Sequence, residues 1–88
     1  MTVATNGANV TVHGTIRTVQ EVQEVVAAIR KYAICNLYLE DSIAAPSAVI
    51  IAARENGVVI YTCCELLVKL ITQLGVRSYK IKNKLSIL

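Results

Sequence analysis

Tryptophan and phenylalanine are absent from this 88-residue chain, and proline, histidine and methionine occur once each. The four tyrosines are spread over three segments, so an aromatic platform for single-stranded nucleic acid is not expected. Tyr38 and Tyr61 are read instead as core fillers with their hydroxyls at its margin. With His13 as the only histidine, no Cys/His pairing can be argued. Cys35, Cys63 and Cys64 are odd in number and lack zinc-ligand spacing, so no structural metal is expected. Adjacent cysteines bridge only with strain, and the thiols are read as free, small hydrophobes. The alternative is a reactive thiol, because Cys63 and Cys64 fall where a helix is expected to begin and a helix N-terminus lowers thiol pKa.

Glycine is also scarce, at four residues. Neither a Gly-x-x-x-x-Gly-Lys loop nor a Gly-x-Gly-x-x-Gly fingerprint occurs, which excludes nucleotide cradling by such loops and leaves no cofactor implied. The longest near-apolar run, 43–53, is broken by Pro46 and Ser47 and is far short of the ~20 residues of a bilayer span. The first residues lack the basic and apolar regions of a secretory leader, so a cytoplasmic location is expected.

Acidic residues number six and none follows Glu65, whereas Lys69, Arg77, Lys80, Lys82 and Lys84 all do. Arg77, Lys80, Lys82 and Lys84 could form a basic surface for RNA or an acidic partner. Lysines at alternate positions of 80–84 equally protect an edge strand from pairing with another chain, which is the favoured reading. The neighbouring carboxylates Glu40 and Asp41 lie at a strand end where adjacent side chains diverge, so they are read as loop solvation and not as an acid–base dyad. No constellation of catalytic residues emerges, and the chain is read as a non-enzyme.

What is present is apolar: 55% of residues are hydrophobic and 17% charged, a balance that favours one packed domain. Asn6-Gly7 separates Thr2–Thr5 from the alternating Ala8–Gly14, a hairpin signal. Thr18 and Glu21 form a capping box ahead of Val19, Val22, Val25, Val26 and Ile29, which predicts a helix over 19–31. Residues 33–39 are short and apolar and suit a buried strand. Pro46 is expected at the first helical position of a second helix that stops at Asn56-Gly57. Val58–Tyr61 reads as a central strand. Thr62 and Glu65 repeat the capping box before a helix striped by Leu66, Leu67, Leu70, Ile71 and Leu74 and closed by Gly75. A last strand is expected over 78–82, with 85–88 extending it or docking on the core. The fold class is therefore α/β, with order β-β-α-β-α-β-α-β: a mixed sheet of four to five strands covered by about three helices. So short a chain has a narrow energy balance, which makes homodimerisation a reasonable aid to stability.

This order, with three stretches, resembles the STAS domain shared by sulfate transporters and anti-sigma factor antagonists. The best match is Gly57-Val-Val-Ile-Tyr-Thr-Cys-Cys-Glu-Leu-Leu-Val-Lys-Leu-Ile-Thr-Gln-Leu-Gly75-Val76, similar to the family's glycine, buried strand, turn, amphipathic helix and closing glycine. Val10-Thr-Val-His-Gly14-Thr-Ile is similar to its second strand, and Ile34-Cys-Asn-Leu-Tyr-Leu39 to the strand before its functional loop. The resemblance spans nearly the whole chain and implies a STAS-like fold over 1–88. In that family the loop after this strand carries an Asp-Ser pair, and in the antagonists the serine is phosphorylated by an anti-sigma kinase. Asp41-Ser42 keeps the pair but directly follows the strand. Pro46-Ser47-Ala48 keeps the loop length but lacks the Asp and the Gly. Both Ser42 and Ser47 are therefore phosphorylation candidates, and helix initiation is the structural alternative for each.

The resemblance implies a regulatory module that presents Glu40, Asp41, Ser42, Pro46 and Ser47 to a protein partner, either an anti-sigma kinase or a component of a membrane transporter. The competing reading is a basic accessory protein that binds through the C-terminal segment.

Overall fold

The computed structural model describes residues 1–42 and 44–81. Strands β1 (Thr2–Asn6) and β2 (Asn9–His13) form an antiparallel hairpin. Helix α1 (Val19–Lys31), β3 (Asn36–Leu39), α2 (Ser47–Glu55), β4 (Val59–Thr62), α3 (Glu65–Gln73) and β5 (Ser78–Lys80) follow in turn. The strands make one five-stranded sheet in the order β1-β2-β3-β4-β5, with β2 through β5 mutually parallel. This is the α/β class and element order expected, with β4 in the interior.

Each parallel step is bridged by a helix, as parallel pairing demands. All steps move the same way across the sheet, so crossovers of the usual right hand place every helix on one face. Burial agrees. Val10 and Val12, Leu37 and Leu39, Ile60 and Thr62, and Ser78 are buried, and the register places them on a single side. They pack with Val25, Ile29, Val49 and Ile71 in the core under the helices. Thr11, Tyr38 and Tyr61 on the other side are only half-buried, and Tyr79 is exposed.

The capping box of α1 forms as read. Thr18 Oγ1 accepts the Glu21 N–H at 3.1 Å, and Glu21 Oε1 accepts the N–H groups of Thr18 (3.0 Å) and Arg17 (2.9 Å). Those two backbone donors hold the Glu21 carboxyl below its ordinary value of 4.5. In the hairpin, Gly7 takes φ 59° while Ala8 stays at negative φ, so Gly7-Ala8 is the turn and Asn6 pairs with Asn9. Glycine at the first central position fits a type II′ turn.

Several boundaries differ from the sequence reading. β3 begins at Asn36, whose N–H makes the first ladder bond to the Ala8 carbonyl (3.1 Å); the Cys35 N–H shares that carbonyl at 2.7 Å, and Ile34 is buried all the same. Pro46 is the N-cap of α2, and Ser47 is its first residue. The capping box expected at Thr62 does not form. Thr62 pairs with Leu39 and Lys80 as the last residue of β4, its hydroxyl accepts the Cys64 N–H at 3.2 Å, and Cys64 is the N-cap of α3. Strand pairing claims Thr62 first and delays the helix by two residues.

Candidate functional site

The loop after β3 divides into two parts. Its first residues are tied down by the ends of the neighbouring strands. Glu40 Oε2 lies 3.3 Å from His13 Nδ1, and Asp41 Oδ2 accepts the Gly14 N–H at 2.9 Å. Ser42 is fully buried, donates to the Gly14 carbonyl at 3.4 Å, and accepts the Cys63 S–H at 3.8 Å through its own carbonyl. Gly14 has φ 89°, and a Cβ there would meet the Met1 backbone at 3.3 Å, so a side chain at this position would be strained and would crowd the first residue. Glu40 and Asp41 thus join β3 to β2, a more specific role than solvation.

Beyond Ser42 the chain reaches the surface. Pro46 is half-buried and Ser47 is exposed. The two candidate serines therefore have opposite surroundings: Ser42 is sealed in, while Ser47 faces solvent at the start of α2. The first turn of α2 carries no acidic residue, and Pro46 supplies no side-chain cap, so the positive end of that helix is not neutralised by a neighbouring carboxylate of its own first turn.

Exposed apolar residues lie beside Ser47 and further along α3. Ile51 is 54% exposed and Leu66 74%, and Leu70 and Leu74 are also open. Ser47 lines a cleft of about 180 Å³ with Ile50, Ile51, Arg54 and Leu74. A second, of about 520 Å³, lies among Ala44, Ala45, Cys64, Leu66, Leu67 and Leu70. A third, of about 550 Å³, runs between α1 and α2 past Val22, Val26, Ala48 and Ile51. The exposed residues of α2, α3 and the α3 C-cap thus include four large apolar side chains, Ile51, Leu66, Leu70 and Leu74, among the charged Arg54, Glu55, Glu65 and Lys69.

The basic residues are only partly gathered. Arg77 and Lys80 are exposed, while Lys82 and Lys84 lie outside the described residues, as do 85–88. Arg77 shares a cleft of about 130 Å³ with Arg54, a neighbour 23 positions back that charge counting along the chain does not reveal. Among the described residues β5 is the last strand of the sheet, which puts Lys80 on an edge.

Two expectations need correcting. Cys35 and Cys63 are exposed and only Cys64 packs against the core, because Cys35 and Cys63 flank strands and do not occupy their inward positions. Tyr38 and Tyr61 do not fill the core. The register sets Tyr38, Tyr61 and Tyr79 side by side on the face away from the helices. The Tyr38 and Tyr61 rings stack at 4.6 Å and 13°, and Tyr79 leans on Tyr61 at 5.9 Å and 34°. The third residue of β3 and of β4 and the second of β5 are all tyrosine, a coincidence that only a known register turns into a row.

Among the described residues no group of three or more His, Cys, Asp or Glu side chains could hold a metal ion, and no helix is long and apolar enough to cross a membrane. No protein-family model matches the chain, and neither the curated proteins nor the solved structures contain a significant match.

Proposed function

We propose that this chain is a non-enzymatic regulatory module that receives a protein partner on the outer surface of α2 and α3, with Ser47 as the point of control. One observation carries the reading: an exposed serine opens α2 beside exposed Ile51 and Leu74, with Leu66 and Leu70 also open on α3. The occupant proposed is a protein that presents apolar side chains, in the manner of a helix laid into a groove. A phosphate on Ser47 would add about two negative charges to that apolar surface. The positive end of α2 would tolerate it within the fold, while an apolar partner would not. The behaviour resembles that of an anti-sigma factor antagonist, the family whose element order and strand patterns this chain resembles. An accessory role beside a membrane transporter would use the same surface.

The test is recovery of a partner by the purified protein, followed by titration of that partner against variants. Wild type binds, and Ser47→Asp and Leu70→Asp each weaken binding at least tenfold with the far-UV spectrum unchanged. Equal binding by both variants refutes the reading. A second reading rests on the shared cleft of Arg54 and Arg77: a basic surface for RNA or an acidic partner. It requires affinity that falls steeply with salt, whereas docking on the apolar surface is nearly independent of it.

A further inference from the structure

The two margins of the sheet are unequally protected. β5 has three residues, is followed in sequence by alternating lysines, and carries Lys80. β1, at the other margin, is five residues long, reads Thr-Val-Ala-Thr-Asn, and contains no charge and no proline. Short strands, lysine and proline are the ordinary means of keeping a strand margin from pairing. One edge has two of these, and the other has none. Among the described residues nothing pairs with the outer side of β1.

We infer that this margin is the surface on which a second copy of the chain docks, β1 against β1 in antiparallel pairing. The hairpin sets the register. A two-residue turn makes Asn6–Asn9 a hydrogen-bonded pair, and alternation extends this to Ala4–Thr11 and Thr2–His13. The backbone N–H and C=O groups of Val3 and Thr5 therefore point outward. A twofold axis at Ala4 pairs Val3 with Thr5 of the second copy, and Thr5 with its Val3, so that each outward group meets a complement. Ala4 then faces Ala4 across a close, non-hydrogen-bonded position that a small side chain fits. Such an interface uses one patch twice and closes on itself.

Sedimentation velocity of the full chain over an approximately hundredfold concentration series tests the inference. Wild type passes from one chain to two. Thr5→Pro removes one outward N–H from an exposed residue without touching the hairpin ladder, and it sediments as a monomer throughout. Ala4→Lys sets two like charges face to face at the axis and does the same, which decides the matter should the proline variant fail to fold. Leu70→Asp, on the helical surface, dimerises as wild type does. Amide exchange slows at Val3 and Thr5 as the dimer forms. A wild-type chain that stays monomeric, a dimer that survives Ala4→Lys, or one abolished by Leu70→Asp overturns the inference.

Discussion

Ser42 and Ser47 are five residues apart, and an introduced carboxylate separates them most sharply. At Ser42 the side chain is fully enclosed, and the hydrogen-bond partner of its hydroxyl is the Gly14 carbonyl, an acceptor. An aspartate there has no donor in that direction. If it stays neutral, protonating a carboxyl of ordinary pKa near 3.9 at pH 7 costs about 4 kcal/mol, at ~1.4 kcal/mol per unit. If it ionises, the burial penalty is several kcal/mol. Typical stability for this length, at ~0.05–0.15 kcal/mol per residue, is about 4–13 kcal/mol, so either route consumes a large share of it. Ser42→Ala, which loses one long hydrogen bond, should cost only about 1 kcal/mol. Ser47→Asp places its charge in water at the start of α2 and should stabilise by ~0.3–1 kcal/mol.

Urea unfolding followed by far-UV circular dichroism measures all three variants. With a slope of about 1 kcal/mol per molar, the Ser42→Asp midpoint falls by roughly 3–4 M, or the chain does not fold at pH 7. The sign with pH is diagnostic. Burial raises the folded-state pKa of the introduced carboxyl above its unfolded value, so the Ser42→Asp variant regains stability as pH drops toward 4. A Ser42→Asp midpoint within about 0.5 M of wild type, or a loss of the same size in Ser47→Asp, would refute the assignment of the two serines to opposite environments.

Two further outcomes follow from the geometry. Glu21 is held below 4.5 by the backbone N–H groups of Arg17 and Thr18, so its contribution is fully present above the unfolded value and disappears as pH falls through the lower folded one. Glu21→Gln should flatten that part of the acid limb in a pH series of urea midpoints, and an unchanged limb would remove Glu21 as its source. Tyr61 touches both its neighbours in the tyrosine row, so Tyr61→Ala should cost about 2 kcal/mol and remove most of the near-ultraviolet dichroism. Tyr32→Ala, at an exposed site beside Lys31, should do neither, and equal costs would contradict the stacking.

Periodicity and local chemistry specified the elements. The spacing of Val22, Val25, Val26 and Ile29, the box formed by Thr18 and Glu21, and the glycines at 57 and 75 mark helices and their ends from contacts within a few residues of one another. Runs such as Leu37–Leu39 and Val58–Tyr61 identify strands but not their neighbours. Strand order, register and the tyrosine-bearing face of the sheet come from pairings between residues far apart in sequence, and these decided what local reading could not. Register moved Thr62 from a helix cap into β4, turned three scattered tyrosines into a row, and brought Gly14 over Ser42. The same long-range pairing sealed one serine and exposed the other, because whether a side chain meets water depends on what the rest of the chain lays over it.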